Sequence, residues 1–92
     1  MRGPMKHRLT VDLPIRILQH KNSDFLVALS DKFPGILAHG KDFDELEAEL
    51  EEVLRYLFAQ DGYTLIELAI PDGLNEEFIP QTITARAEPR AA

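Results

Sequence analysis

The stretch FPGILAHGKDFDELEAELEEVLRYLFAQDG, residues 33–62, contains one amphipathic helix and the turn and strand that lead into it. Asp42 is a favourable residue for capping a helix N-terminus, and Glu45 follows it at the spacing of a capping box. Gly62 suits the position just beyond the helix C-terminus. Apolar residues recur between these ends at helical spacing and form one stripe: Phe43, Leu46, Leu50, Val53, Leu54, Leu57 and Phe58. We therefore predict a helix from Phe43 to Gln60 with one buried face.

The residues before the helix predict a turn and a short strand. Proline fixes φ and glycine permits positive φ, so Phe33-Pro34-Gly35 is expected to turn the chain. The strand Ile36 to Gly40 follows the turn and ends just before the helix cap. Four residues are thus expected to form the turn and the cap: Pro34, Gly35, Gly40 and Asp42.

Two further strands are predicted upstream. Apolar residues alternate between Leu9 and Ile17, which indicates a strand with one buried face. Pro14 interrupts this pattern, and because proline cannot donate to a sheet ladder, the strand is expected to lie at an edge or to bulge there. Residues 25–30, FLVALS, form a near-continuous apolar run, which is typical of a strand covered on both faces. The simplest arrangement of these two strands is a hairpin.

The region after the helix is less clear. Tyr63 to Ile70 has a pattern compatible with a strand or a helix, and its β-branched and aromatic residues favour a strand. Gln81 to Ala87 is a candidate for a further edge strand.

These elements predict an α+β fold, an antiparallel sheet of about four strands with one amphipathic helix packed on one face, in the order β-β-β-α-β. The 92 residues are expected to form one domain over residues 9–84, with flexible segments at 1–8 and 85–92. A domain of this size has a modest core, so we expect it to form a homodimer or homotetramer that buries further area.

The net charge of −6 is concentrated on the predicted helix. Eight acids and one base, Arg55, lie between Asp42 and Asp61, a net charge of −7, whereas the rest of the chain carries +1. An acidic face repels phosphate backbones and attracts basic proteins, so we expect a basic partner and no direct binding of nucleic acid. A face that is merely solvated is the alternative interpretation. The candidate partner-binding residues are Asp44, Glu45, Glu47, Glu49, Glu51 and Glu52.

The chain contains no cysteine, which excludes disulfides and thiolate metal sites and is typical of a reducing cytoplasm. No apolar run approaches the ~20 residues that a membrane-spanning helix requires. We therefore expect a cytoplasmic protein that does not span a membrane.

Residues 25–58 resemble the HicB-like antitoxin family. The shared features are an apolar strand, an acidic residue (Asp31), a Pro-Gly turn, a short strand ending in Gly40, and a small polar cap (Asp42) before a helix rich in Glu and Leu. The hairpin tip, Lys21 to Asp24, departs from the Gly-rich tip of the family, and the cap is more often Thr. The resemblance implies a HicB-like, non-enzymatic protein that masks the RNA-binding surface and catalytic histidine of a small basic RNA-cleaving toxin.

Antitoxins of this family usually add a C-terminal DNA-binding module. The 30 residues after Gly62 contain Pro71 and Pro80, which interrupt any long helix, and no basic recognition helix is evident. The resemblance therefore implies the toxin-facing domain alone.

The family's fold is related to a degenerate nuclease fold, so a small metal-dependent nuclease is a further hypothesis. Its candidate carboxylates, Asp12, Asp24 and Asp31, have no spacing that would make them converge on metal ions. The histidines also lack the spacing of a metal site: His7, His20 and His39. We therefore expect no catalytic residue, cofactor or metal. The antitoxin-type protein ranks first, an orphan oligomeric structural or regulatory protein without a toxin second, and the nuclease last.

Overall fold

The computed structural model describes residues 7–19, 22–71, 73–74 and 81–90. Within these ranges the elements are β1 (Leu9–Gln19), β2 (Leu26–Leu29), β3 (Leu37–Gly40), α1 (Phe43–Gln60), β4 (Tyr63–Ala69) and β5 (Gln81–Pro89). The fold is α+β, a curled antiparallel sheet of these five strands with α1 packed against it. The predicted bounds of the helix are confirmed, and so is the strand predicted after Gly62.

The strand order is β3-β2-β1-β5-β4, and neighbouring strands are antiparallel. The predicted hairpin of β1 and β2 is confirmed. β1 changes neighbours along its length, because Leu9–Ile15 pair with β5 whereas Arg16–Gln19 pair with β2. Pro14 lies in the part that pairs only with β5, so one side of the strand is locally an edge and a residue without an N–H is tolerated. The edge prediction is right only at this position, since β1 is the third of five strands.

The hydrophobic core lies between the helix and one face of the sheet. Leu46, Leu50 and Leu54 of α1 are almost fully buried, and the helix packs against β2, β3 and β4. Ile15 of β1 and Ile83 of β5 are the largest fully buried side chains of the sheet. One face of α1 is thereby committed to the core, and the opposite face stays in solvent.

β5 is the main difference from the predicted fold. The candidate strand at Gln81 to Ala87 is present as β5, but it lies between β1 and β4 and not at an edge of the sheet. The predictions of about four strands and of a flexible tail from residue 85 are wrong, because β5 is a fifth strand that runs to Pro89. Ala85 is 0% exposed and pairs with Val11 of β1 and Leu68 of β4. Alanine has little apolar surface, so the alanines of this strand leave only a weak hydrophobic pattern in the sequence. In the structure, backbone pairing with β1 on one side and β4 on the other holds the strand in place. Residues 1–6 and 91–92 of the predicted flexible segments lie outside the described residues.

Both ends of α1 have the predicted caps. The Glu45 backbone N–H donates to Asp42 Oδ1 at 2.8 Å, and the Lys41 N–H donates to Glu45 Oε1 at 3.4 Å. Gly62 has φ 85° and donates its N–H to the Ala59 carbonyl at 3.1 Å, which closes the last turn.

The predicted turn before β3 is present, since the Ile36 N–H donates to the Phe33 carbonyl at 3.0 Å. Among the described glycines only Gly62 and Gly73 have positive φ, so this turn forms without a positive φ at Gly35. Gly40 is required for a different reason. A Cβ at this position would lie 2.5 Å from the backbone nitrogen of Leu46, so β3 meets the start of α1 at a distance that only glycine permits.

The N-cap supplies a first test of the helix. We expect Asp42→Ala to lower the free energy of unfolding by about 1 kcal/mol, because it leaves the Glu45 N–H without its acceptor. Asp42→Asn is the matched control, since asparagine caps equally well and should keep the wild-type stability. Urea denaturation followed by circular dichroism measures both variants. Equal stability of Asp42→Ala and Asp42→Asn would contradict the assigned cap.

Candidate partner-binding surfaces

The exposed face of α1 carries two rows of acidic residues. Glu45, Glu49 and Glu52 are spaced by four and three residues, so they lie along one line of the helix, and Tyr56 continues it four residues later. We call these four residues the acidic row. Tyr56 is 64% exposed, and its hydroxyl accepts a hydrogen bond from Gln60 Nε2 at 2.9 Å. The row therefore presents carboxylates and one aromatic ring to solvent.

The second row consists of Asp44, Glu47 and Glu51, and the last two are less available to a partner. Glu47 is half-buried, and Glu47 and Glu51 line a shallow cleft with Leu68 and Ile70, at the end of β4. Arg55 Nη2 lies 3.6 Å from Glu51 Oε1 and partly neutralises it. Of the six predicted partner-binding residues, Asp44, Glu49 and Glu52 are exposed and have no hydrogen-bond or ion-pair partner among the described residues.

Part of the acidic face lowers the stability of the helix. Glu45 and Glu49, and likewise Glu47 and Glu51, are four residues apart, and like charges at this spacing each destabilise a helix by roughly 0.2–0.5 kcal/mol. The helix dipole favours acids only near the N-terminus of a helix, so it does not stabilise Glu52, which lies in the middle of α1. The charges of Glu49 and Glu52 therefore do not stabilise the helix.

Tyr56 was not among the predicted site residues. It lies off the apolar stripe, on the same line as the acids, and this position is readable from its spacing to Glu49 and Glu52. Exposed tyrosine is enriched among the residues that dominate protein–protein binding energy. The sequence signal for Tyr56 as a candidate partner-binding residue is therefore its position as an aromatic residue on the charged side of an amphipathic helix.

The second surface is the side of the sheet that faces away from α1. The side chains of Leu18 (β1), Val27 and Leu29 (β2) and Leu37 (β3) share this side, and we call them the outer patch. Leu18 and Leu37 are 46% and 49% exposed, and Val27 and Leu29 are half-buried. The prediction that residues 25–30 are covered on both faces is therefore wrong for the single chain.

The other half of the same side is polar. Arg8 Nη2 lies 2.7 Å from Glu88 Oε1, and Arg86 Nη1 lies 3.6 Å from Glu67 Oε1. The Thr84 hydroxyl donates to Asp12 Oδ1 at 3.0 Å. The β1-β5-β4 half thus has polar side chains paired with one another in solvent, whereas the β1-β2-β3 half has the outer patch together with Arg16, opposite Leu29, and His39, opposite Val27.

A cavity of about 400 Å³ opens between the first half of β1, the turn before β3 and the end of α1. Its walls are mostly apolar and include Leu9, Phe33, Pro34 and Phe58. The volume falls within the range of small-molecule sites, roughly 300–1,000 Å³. Pro34 and Gly35, predicted as turn residues, thus also line a space that can accept an apolar group.

The predicted nuclease residues are not brought together. Asp12 is paired with Thr84 on β5, and Asp31 accepts from Arg16 Nη2 at 2.9 Å. Asp24 is exposed in the turn before β2. Among the described residues no three His, Asp or Glu side chains are grouped as a metal site requires. His7 and His39 are exposed, and His20 lies outside the described residues.

In the described part of the chain, no helix has the length and apolar character needed to cross a membrane.

No protein-family model, curated protein or solved structure matches this chain. The class of protein is therefore defined by the fold and its surfaces alone. It is a small α+β domain with an acidic helix on one side of a curled antiparallel sheet and an apolar patch on the other side.

Proposed function

We propose that this chain is a non-enzymatic, HicB-like antitoxin-type protein that binds a small basic RNA-cleaving toxin and masks the surface with which the toxin holds RNA. The observation that carries the proposal is the net charge of −7 between Asp42 and Asp61, carried by one helix and its two caps. The resemblance of residues 25–58 to HicB-like antitoxins also supports it. The strand, turn, strand and helix of that stretch occur in the expected order.

The acidic row provides a physical mechanism for such binding. A toxin that holds RNA presents Lys and Arg side chains to the phosphate backbone, and carboxylates in matching positions compete for the same side chains. Complementary charge also accelerates encounter of the two proteins. The Tyr56 ring adds a face on which an arginine of the toxin can stack. The chain needs no catalytic group for this function, since occupation of the RNA-binding surface is sufficient.

The experiment starts from the neighbouring reading frame in the genome. A small basic protein encoded there is expressed in a host cell with and without this chain. We expect growth arrest and loss of cellular RNA from the basic protein alone, and normal growth from co-expression. The orphan oligomer, the alternative function, predicts either no such reading frame or no rescue.

Charge reversal on the acidic row tests the surface itself. We expect Glu49→Lys and Glu52→Lys each to raise the dissociation constant of the purified complex by about tenfold, or roughly 1.4 kcal/mol. Tyr56→Ala should have an effect of the same order, because exposed tyrosines are frequent hot spots. Isothermal titration calorimetry measures all three variants.

Asp24→Lys is the matched control, since it makes the same change in total charge on an exposed residue away from the helix. We expect its dissociation constant to change less than about twofold, because distant exposed charges are screened by salt.

Glu49→Lys also replaces repulsion of Glu45 and Glu52 by attraction, so it should stabilise the free chain by about 0.5–1 kcal/mol. Weaker binding with higher stability excludes misfolding as the cause. Equal affinities of Glu49→Lys, Glu52→Lys and the wild type would overturn the assignment of the surface.

A further inference from the structure

The cavity of about 400 Å³ lies where the sheet is open. In the described sheet, Leu9–Ile15 of β1 pair only with β5, and β2 joins β1 from Arg16 onward. After β2 the chain leaves the sheet and turns at residues 33–36 before it returns as β3. The first half of β1 and this turn are therefore not joined by a strand, and the end of α1 forms a third wall of the space between them.

The walls of the cavity consist of apolar side chains that the fold leaves incompletely buried. Val11, Phe33, Leu57 and Phe58 pack against the core, yet each is only half-buried. An apolar cavity of roughly 150 Å³ in another protein is large enough to bind benzene. At about 400 Å³, the cavity of this chain has room for an aromatic ring together with a short alkyl chain.

Charge at the mouth of the cavity favours a cationic ligand. Among the described residues that line the cavity, Asp61 is the one charged side chain, and it is exposed to solvent. Asp61 is also the C-cap of α1, and the C-terminus of a helix carries roughly −0.5 of an elementary charge. α1, all of which is described, has no basic residue in its last turn to offset this charge. An ammonium group is therefore attracted to the mouth, whereas the carboxylate of a fatty acid is repelled.

We propose that the cavity is a binding site for a small organic cation, an arylalkyl amine. Its apolar body lies between the first half of β1 and the end of α1, and its ammonium group lies beside Asp61. Burial of the apolar body supplies most of the affinity, and the carboxylate orients the ligand. No residue of the acidic row lines the cavity, so this proposal and the proposed function can each fail without the other.

A titration of the full chain with three probes, followed by two-dimensional amide NMR, tests the site. Phenylbutylamine, phenylbutanol and phenylbutanoate share the ring and the alkyl chain, and their head groups are positive, neutral and negative. We expect phenylbutylamine to bind with a dissociation constant of about 1 mM or below, roughly three- to fivefold tighter than phenylbutanol, as one solvent-exposed ion pair allows. Phenylbutanoate should bind most weakly. The shifted amides should be those of the cavity walls, in residues 9–13, 33–36 and 54–63.

Asp61→Asn tests the charge at the mouth, because it removes the negative charge and keeps the shape of the side chain. The affinity for phenylbutylamine should fall to that for phenylbutanol, and the affinity for phenylbutanol should stay the same. Asp24→Asn is the matched control, since Asp24 is an exposed aspartate that lies near the opposite end of β1. We expect it to bind all three probes like the wild type.

Val11→Phe and Leu57→Phe test the volume, because each adds atoms to the cavity from a different wall. Each should weaken binding of phenylbutylamine and phenylbutanol by at least about tenfold, and circular dichroism should show that the variants remain folded. Val27→Phe makes the same change as Val11→Phe at a half-buried residue of the outer patch and should not alter binding. Binding of phenylbutanoate as tight as that of phenylbutylamine would overturn the cationic class of ligand. The site itself is overturned by amide shifts centred on the outer patch, or by no binding of phenylbutylamine at about 5 mM.

Discussion

Ala85→Asp should unfold the chain under conditions in which the wild type is fully folded. Ala85 is 0% exposed in the strand between β1 and β4, with Val11 and Leu68 as its cross-strand neighbours. Aspartate adds volume to a close-packed site and places a charge there without a partner, at an effective cost of several kcal/mol. Since domains of this size are stable by about 5–15 kcal/mol, the substitution removes most of the stability. Thermal denaturation and the near-ultraviolet circular dichroism spectrum measure the loss.

Thr82→Asp is the control for this prediction. Thr82 lies three residues earlier on the same strand but is exposed, so a charge there remains hydrated and should change the stability by no more than about 0.5 kcal/mol. A free energy of unfolding that is the same for both variants would mean that residues after 84 are not an integral part of the sheet. The comparison therefore decides between a frayed tail and a central strand.

Gly40→Ala should have the second largest effect, a loss of about 3 kcal/mol or more in the free energy of unfolding. Its Cβ would lie 2.5 Å from the nitrogen and 2.8 Å from the Cα of Leu46. Both are backbone atoms of α1, so no side-chain rotation relieves the overlap. The helix must move away from β3, and this disturbs the packing of Leu46 and Leu50 in the core.

Gly35→Ala is the matched glycine control. The closest atom to its Cβ would be Leu57 Cδ2 at 3.5 Å, an ordinary contact with a flexible side chain. Gly35 does not have positive φ, so alanine causes no backbone strain there and should change the stability by less than about 1 kcal/mol. Urea denaturation of the two variants gives the difference. Gly40→Ala with the stability of the wild type would contradict the close approach of β3 and α1.

Local sequence patterns predicted the elements that depend on neighbouring residues. The helix from Phe43 to Gln60, its cap at Asp42 and its end at Gly62 follow from spacings of a few residues. The hairpin of β1 and β2 follows from two apolar segments separated by a short polar one. The concentration of acid on α1 is likewise a property of the sequence, and so are the six candidate residues on it.

Only the tertiary structure shows which of those acids are exposed and which are half-buried. Packing against β4 half-buries Glu47, whereas Glu49 and Glu52 remain exposed beside Tyr56. The sequence indicates the spacing of the acidic row but not which side of the helix a neighbouring strand covers. For this reason the candidate site could be predicted as a face of the helix and not as the particular residues that a partner can reach.

The amino-acid sequence by itself determined an amphipathic helix, its caps, the hairpin and the location of the charge, because these depend on contacts within a turn or a single pair of strands. Only the tertiary structure decided that Ala85 lies in a central strand, since its pairing with Val11 joins residues far apart in the chain and alanine leaves little hydrophobic signal. It also decided that one side of β2 is left uncovered, because burial of a strand face depends on which other elements pack against it. The sequence made β2 apolar on both sides, and the fold of one chain covers only one of them.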